Sequence, residues 1–252
     1  MSIFYIIIGF LLLVLGGEFL VRSSVGLSFK LNLSRLIIGM TVVSIATSAP
    51  ELLVSLQAAL SGSEDLAIGN VVGSNIFNLG IILGLVAIFG SLKTNKTILY
   101  RDGSVLVGTG LLLVLFYYDL VLTLWEGVVL VAVLASYVVY LIRAKVDIED
   151  DLPEGEYRWV DIPILILGVG LIIGSAHFLV SSASDIAREF GISEWMIGIT
   201  IVAAGTSVPE LATSLVALIK GRYGISIGNL IGSDIFNMLG VLGTASIIRP
   251  LT

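Results

Sequence analysis

Two stretches of this chain repeat one another. Residues 39–80 read GMTVVSIATSAPELLVSLQAALSGSEDLAIGNVVGSNIFNLG, and residues 198–239 read GITIVAAGTSVPELATSLVALIKGRYGISIGNLIGSDIFNML. A shift of 159 residues aligns 19–80 with 178–239 without a gap, and 26 of those 62 positions are identical. Because a chance match of this length is hard to credit, we infer that the chain contains two copies of one structural unit.

The composition is that of a membrane protein. The 252 residues are 57% hydrophobic and 13% charged, with a mean hydropathy of +1.07, whereas a soluble domain carries about 25% charged residues. The sequence has no Cys and one His, which excludes disulfide scaffolds, zinc sites built on several Cys and His, and Cys–His hydrolases. The net charge of −6 argues against a nucleic-acid partner, which would need a basic face.

Eight apolar segments are long enough to cross a bilayer as helices, which takes about 20 residues each. They lie near 3–28, 36–60, 66–90, 102–118, 121–142, 160–184, 195–219 and 225–247. No basic residue precedes Ile3, so the first segment is read as a membrane helix and not as a signal peptide. We therefore predict an all-α polytopic membrane protein.

The two copies are predicted to have opposite orientations in the membrane. The first repeat spans 1–142 with five helices, the second spans 160–252 with three, and an acidic linker at 143–159 joins them. Because five crossings are an odd number, the second copy enters the membrane from the other side. This gives the inverted-topology repeats of secondary transporters. Channels can also contain such repeats, so a carrier and a pore both remain open at this point.

Lys and Arg residues are distributed unevenly across the predicted membrane. If the helices alternate, eleven fall on one side and two, Arg188 and Arg249, fall on the other. The positive-inside rule then places the N-terminus outside, the 143–159 linker in the cytoplasm and residues 61–65 outside. We expect a multi-pass protein of the cell (inner) membrane.

Each copy carries a Thr-Ser-x-Pro-Glu segment, at 47–51 and 206–210. Residues three and four apart share one helix face, so the hydroxyls and the carboxylate of each segment point the same way. Proline cannot donate to the carbonyl four residues before it, which releases the carbonyls of Ala46 and Gly205. Free carbonyls at membrane depth are tolerated only where they face protein or a water-filled cavity, and there they can coordinate a cation.

A second motif, Gly-Asn-x-x-Gly-Ser-x-x-x-Asn, follows in each copy. Its oxygen-bearing side chains are four residues apart and form a stripe on one helix face: Asn70, Ser74 and Asn78, then Asn229, Ser233 and Asn237. The glycines at 69, 73, 228 and 232 should let helices approach closely. Small polar residues often serve only to hold membrane helices together, so this motif by itself does not identify a site.

Glu51 and Glu210 are harder to explain as structural residues. A carboxylate in mid-membrane costs a few kcal/mol and normally marks an ion or proton pathway. No Lys or Arg lies in the middle of a predicted span, and Arg22 and Arg35 fall at helix ends. A metal cation is the remaining partner. The available ligands are hard oxygens without thiolate or imidazole, which suits Ca²⁺ or Na⁺ and disfavours Zn²⁺ or Cu⁺.

The doubled motifs resemble the α-repeats of the cation/calcium exchanger superfamily, in particular its prokaryotic sodium/calcium exchangers, over about residues 1–250. The resemblance implies a ten-helix fold in which helices 2, 3, 7 and 8 bind the ions and helices 1 and 6 slide across them. Eight of these ten are present, and two more would be expected after Thr252. The ligands that it implies are Thr47, Ser48, Glu51, Ser74, Asn78, Thr206, Ser207, Glu210, Ser233 and Asn237.

Two positions depart from the family pattern. Ala46 stands where the family usually has the Gly found here at 205. Asn237 stands where some relatives have Asp, which leaves two acidic groups among the expected ligands.

The expected function is an antiporter that exchanges Ca²⁺ for Na⁺ by alternating access. An H⁺/Ca²⁺ antiporter is the alternative, with Glu51 and Glu210 taking up protons, and a cation channel with a glutamate selectivity site is a third. K⁺ could also serve as a coupling ion. An enzyme is not expected, because no Ser or Thr has a base within the motifs, and neither is a cofactor. The other partner is the lipid bilayer.

Three further features are interpreted as structural. His177 aligns with Glu18 in the repeat and is read as a buried, hydrogen-bonded residue in preference to a proton sensor. Asp234 is turned about 100° from the face of Ser233 and Asn237 and is left out of the ligand set. The acidic run from Asp147 to Glu156 is read as a solvated linker, because it lacks the pattern of an EF-hand.

Overall fold

The computed structural model describes residues 2–89, 96–144, 156–197, 200, 201 and 203–252. Within these ranges the chain is almost entirely helical, and Leu122 and Leu251 form an isolated antiparallel bridge. The predicted all-α class is therefore confirmed. In chain order the helices are α1 (Ser2–Leu31), α2 (Arg35–Thr47), α3 (Ala49–Ser61), α4 (Glu64–Phe89), α5 (Ile98–Asp119), α6 (Leu124–Ala144), α7 (Asp161–Glu189), α8 (Glu194–Ile197), α9 (Ala203–Thr206), α10 (Val208–Ile219) and α11 (Tyr223–Ile248).

Seven of the eight predicted membrane segments correspond to described helices of sufficient length. Six helices are long and apolar enough to span a bilayer alone, and α2 with α3 forms a seventh, bent span. The segment predicted at 195–219 appears as the shorter helices α8, α9 and α10, with residues 198, 199 and 202 outside the described ranges. The acidic run of the linker also lies outside them, apart from Glu156.

The elements of the two repeats match in order. Helix α1 corresponds to α7, the bent pair α2–α3 corresponds to α8–α10, and α4 corresponds to α11. Helices α1 and α7 run antiparallel, with Gly9 beside Leu179 and Gly26 beside Asp161. The two helices cross so closely at Gly168 that a Cβ added there would lie 2.8 Å from the backbone nitrogen of Leu20. Antiparallel packing of equivalent helices is the arrangement that an inverted repeat requires.

Helix α11 is the centre of the molecule. In the apolar, membrane-spanning stretch of α11, 67% of the residues are buried. In the corresponding stretches of the other five helices that can span a bilayer alone, the buried share is 17–33%. Helix α2 packs directly onto it: a Cβ at Gly228 would lie 2.5 Å from the carbonyl oxygen of Leu36, and one at Gly232 would lie 2.6 Å from the Cα of Met40. The predicted close approach at these two glycines is confirmed.

The equivalent glycines of the first repeat behave differently. A Cβ at Gly69 or Gly73 would meet no atom of the described residues within 4 Å. The sequence pattern therefore predicts close backbone contact correctly in the second copy alone, because the contact depends on the neighbouring helix as well as on the glycine.

Both copies contain a helix break followed by a proline. Helices α2 and α3 meet at 46°, and Ser48 between them has φ −83° and ψ 10°. Ser207 separates α9 from α10 with φ −89° and ψ 3°. Both backbones leave the helical conformation where the following proline removes a donor from the turn. The breaks thus lie beside the two glutamates, as the motif predicts.

Replacing Gly228 with Ala should destabilise the protein. The added methyl group would collide with backbone atoms of Leu36 and Met40, and overpacking of this kind costs about 1–3 kcal/mol. Thermal unfolding of the purified protein in detergent measures the effect. Gly108→Ala is the matched control, since Gly108 is an exposed helix residue with no described atom within 4 Å of its added Cβ. A melting temperature for Gly228→Ala equal to that of the control would contradict the close packing of α2 on α11.

Candidate cation-binding site

Glu51 and Glu210 lie at the centre of the protein, and both are fully buried. Each receives a hydroxyl from the opposite repeat: Ser48 Oγ donates to Glu210 Oε1 at 3.0 Å, and Ser207 Oγ donates to Glu51 Oε1 at 3.4 Å. The two helix breaks are thus joined reciprocally, with the serine of each break bound to the carboxylate of the other.

The starts of two helices face these carboxylates. Glu51 lies in the first turn of α3, and Glu210 lies in the first turn of α10. The unpaired N–H groups of a helix N-terminus carry partial positive charge, which stabilises a carboxylate in the first turn. This placement offsets part of the desolvation cost of burying two acidic side chains.

Hydroxyl groups from the two repeats also meet in pairs. Thr47 Oγ1 lies 3.4 Å from Ser233 Oγ, and Thr206 Oγ1 lies 3.3 Å from Ser74 Oγ. Ser233 Oγ also donates to Glu210 Oε1 at 3.4 Å. The broken helix of each copy therefore contacts the second-motif helix of the other copy, so the oxygens of one site come from both halves of the chain.

Asn70 and Asn229 support the glutamates from behind. Asn70 Nδ2 donates to the backbone oxygen of Glu51 at 3.1 Å and to Ser55 Oγ at 2.9 Å. Asn229 Nδ2 makes the equivalent bond to the backbone oxygen of Glu210 at 3.3 Å. These amides fix the backbone that carries each carboxylate. The first residue of each predicted polar stripe therefore has a positioning role.

Asn78 and Asn237 form a third reciprocal pair of contacts. Asn78 Nδ2 donates to Asp234 Oδ1 at 3.0 Å, and Asn237 Nδ2 donates to Asn75 Oδ1 at 3.1 Å. Asn75 and Asp234 occupy equivalent positions in the two repeats. The two hydrogen bonds are therefore related by the internal symmetry, and the acceptor is an amide in one and a carboxylate in the other.

The expectation that Asp234 faces away from the site is wrong. Asp234 is fully buried and bonds directly to Asn78, one of the expected ligands. An angular argument assumes that a helix has one inward face, but α11 is buried over most of its surface. The sequence contained a usable signal, since an acidic residue replaces Asn75 within an otherwise matching motif.

Several buried oxygens in this region have no hydrogen-bond donor among the described residues. They are Glu51 Oε2, Glu210 Oε2, Asp234 Oδ2, Asn78 Oδ1 and Asn237 Oδ1. No ion pair within the described part of the chain reaches any of the three carboxylates. A buried acceptor without a donor costs about 1–3 kcal/mol, and more when it is charged. Carboxylate and amide oxygens of this kind are the ligands that hard cations prefer.

All ten residues expected as ligands are buried and belong to this hydrogen-bonded region. They are Thr47, Ser48, Glu51, Ser74, Asn78, Thr206, Ser207, Glu210, Ser233 and Asn237. Their role as ion ligands stays a prediction.

The expectation for His177 is wrong. Its side chain is exposed, and it lines a crevice of about 300 Å³ that reaches Pro50 and Thr206. Gly205 borders the same crevice, and a Cβ there would collide with the Val180 side chain. The absence of a side chain at Gly205 therefore follows from its contact with α7.

Comparison with known proteins identifies the family. The family described as "Sodium/calcium exchanger protein" matches residues 1–143 and 161–252. The putative antiporter CaxA of Alkalimonas amylolytica is 36% identical over 256 residues, which are 98% of this chain and 80% of that protein. The sodium/calcium exchanger MaX1 of Methanosarcina acetivorans is 30% identical over 294 residues, with 98% and 83% coverage.

A membrane protein and a solved structure extend the comparison. The inner membrane protein YrbG of Escherichia coli is 35% identical over 257 residues, with 97% of this chain and 79% of that protein covered. The structure of the sodium-calcium exchanger NCX_Mj superimposes with a TM-score of 0.88 at 31% identity, covering 99% of this chain and 83% of that one. The resemblance seen in the repeated motifs is therefore confirmed. The chain belongs to the sodium/calcium exchanger family, whose members are membrane transporters and not enzymes.

Proposed function

We propose that this protein is a secondary active antiporter that exchanges Ca²⁺ for Na⁺ by alternating access. One observation carries the proposal: the side chains of Glu51 and Glu210 are both fully buried, and no cationic side chain among the described residues pairs with either of them. The names of two relatives agree with it, since both MaX1 and NCX_Mj are sodium/calcium exchangers.

The proposed cargo follows from the donor chemistry. Ca²⁺ binds six to eight oxygens from carboxylates, carbonyls and water, and carboxylate and amide carbonyl oxygens without a donor both occur in this region among the described residues. Two carboxylates balance one Ca²⁺. The two carboxylates equally balance two Na⁺ or two protons, so the site can release Ca²⁺ when another cation replaces it.

The amide oxygens favour Na⁺ as the competing ion. Asn78 Oδ1 and Asn237 Oδ1 are buried acceptors without donors among the described residues. A proton would bind to a carboxylate and would need no further oxygens. A Na⁺ ion must replace much of its hydration shell, and neutral oxygens serve that purpose without adding charge. Na⁺ coupling is therefore proposed over H⁺ or K⁺ coupling.

The reciprocal contacts fit a carrier that alternates between two states. Each carboxylate bonds to a serine of the opposite helix break, so an ion held there contacts both repeats at once. Inverted repeats can exchange conformations and open the same site to either side. A channel with a glutamate ring would not need its two repeats to exchange conformations, and it would pass ions at much higher rates.

We also propose that the N-terminus lies outside the cell membrane. The described basic residues fit this orientation: Lys30 at the end of α1 donates to Tyr157 beside the start of α7, at 3.1 Å. Arg249, just after the end of α11, forms an ion pair with Glu64 at the start of α4, at 2.7 Å. This pair lies on the membrane face opposite to the Lys30–Tyr157 contact. The positive-inside rule assigns the first of these faces to the cytoplasm.

The main prediction concerns coupling. In proteoliposomes, an outward Na⁺ gradient at fixed pH should drive ⁴⁵Ca²⁺ uptake that saturates with Ca²⁺, because carrier sites are limited in number. A pH gradient in Na⁺-free buffer should drive far less uptake, and a K⁺ gradient serves as a second control. Full-rate uptake from the pH gradient alone, without competition between Na⁺ and Ca²⁺, would replace this proposal with H⁺/Ca²⁺ antiport.

The second prediction concerns the glutamates. Glu51→Gln and Glu210→Gln should each abolish Ca²⁺ exchange, because each variant removes one of the charges that balance Ca²⁺. Both should fold, and the unliganded protein should melt at an equal or higher temperature, since the desolvation cost of a buried charge is removed. Glu189→Gln, at the exposed end of α7, is the control and should transport normally. Wild-type exchange in either glutamate variant would refute the site.

The third prediction concerns orientation. The sequence has no Cys, so single cysteines report position without a background. A cysteine at Ser63 should react with an impermeant maleimide in intact cells, and one at Ala144 should react only after the membrane is opened. The reverse pattern would invert the proposed topology.

A further inference from the structure

We propose that Asp234 is a third charged ion ligand, which binds a monovalent cation beside the Ca²⁺ site and determines the response to Na⁺. The proposal rests on the Na⁺/Ca²⁺ exchange proposed above and adds a residue to it. It also revises the count of acidic groups, since the ligand set expected from the sequence contains two.

The position of Asp234 places its charge at the ion site. The side chain is fully buried and accepts a hydrogen bond from Asn78 Nδ2 at 3.0 Å. The preceding residue, Ser233, contacts Glu210 Oε1 at 3.4 Å. The second carboxylate oxygen, Asp234 Oδ2, has no donor among the described residues, and neither has the amide oxygen of its bonding partner Asn78.

The packing at this position does not need a charge. In the first repeat the equivalent residue is Asn75, whose neutral Oδ1 accepts the symmetry-related hydrogen bond from Asn237 at 3.1 Å. An amide oxygen therefore satisfies the same contact. Burying a carboxylate instead is costly unless a cation compensates its charge. The second repeat retains that cost, which points to a cation as the missing partner.

Asp234 belongs to a cation subsite that is separate from the position between the two glutamates. Among the described residues no group of three His, Cys, Asp or Glu side chains converges on a single metal position. Asp234 therefore does not complete a three-carboxylate shell with Glu51 and Glu210. Because one carboxylate balances one positive charge, a subsite of Asp234 Oδ2 and Asn78 Oδ1 suits Na⁺ better than Ca²⁺.

Two transport modes separate this role from a structural one. Ca²⁺/Ca²⁺ self-exchange would use Glu51 and Glu210 alone, whereas Na⁺-driven Ca²⁺ uptake would also use Asp234. In proteoliposomes, Asp234→Asn should reduce self-exchange much less than Na⁺-driven uptake, because an asparagine can still accept the hydrogen bond from Asn78. Na⁺-driven uptake should fall at least about tenfold at subsaturating Na⁺, equivalent to about 1.4 kcal/mol, with a shallower dependence on Na⁺ concentration.

A charge relocation provides the matched control. In Asp234→Asn combined with Asn75→Asp, the carboxylate moves to the equivalent position of the first repeat, where Asn237 can donate to it. This double variant should recover part of the Na⁺ response. A binding measurement is independent of transport: in detergent, Na⁺ should raise the melting temperature of the wild type more than that of Asp234→Asn, while Ca²⁺ should stabilise both equally.

The outcomes are distinguishable. Equal loss of both transport modes in Asp234→Asn, or no loss in either, overturns the role of Asp234 while the exchange function stands. Equal stabilisation of wild type and variant by Na⁺ overturns it as well. A wild-type protein that exchanges Ca²⁺ for Ca²⁺ but does not respond to Na⁺ overturns the proposed coupling and the Asp234 subsite together.

Discussion

The fold is organised around Glu51 and Glu210, two carboxylates that are buried with no cationic side chain paired to them in the described part of the chain. Glu51 and Glu210 lie where a charge is costly, and the described residues supply partial compensation only: a helix N-terminus for each, and one serine hydroxyl from the opposite repeat. The helix breaks, the prolines that follow them and the supporting amides of Asn70 and Asn229 all serve to place these groups. In the function proposed above, the charge that remains uncompensated gives a cation its affinity.

The internal symmetry of the site is suited to the alternating access proposed above. The serine bond to each glutamate side chain and the amide bond to each glutamate backbone oxygen have counterparts of the same kind in the other repeat, but one pair of equivalent positions differs. There Asn75 in the first copy becomes Asp234 in the second, while the hydrogen bond to the facing asparagine is retained. Under the proposals made above, this scaffold would bind a divalent ion at the two glutamates and a monovalent ion at Asp234.

The close packing of α2 on α11 limits how the helices around the site can move. Helix α2 touches the backbone of α11 at Gly228 and Gly232, so these helices cannot separate or shift slightly without losing that fit. Packed interfaces of this kind favour a few discrete arrangements over continuous deformation. A movement that exposes the carboxylates is therefore expected to involve whole helices.

The family resemblance of the duplicated motif supplied the ten residues that meet at the centre. The sequence by itself determined the membrane class, seven of the eight spans and the motif. These depend on local properties, namely apolar length, residue spacing and the conformational effect of proline. Tertiary structure decided which hydroxyl faces which carboxylate, because those contacts join residues about 160 positions apart. It also decided that Asp234 points into the site and that His177 lies exposed. Both depend on whether neighbouring helices cover a given face, and a helical repeat cannot reveal that from one chain segment alone.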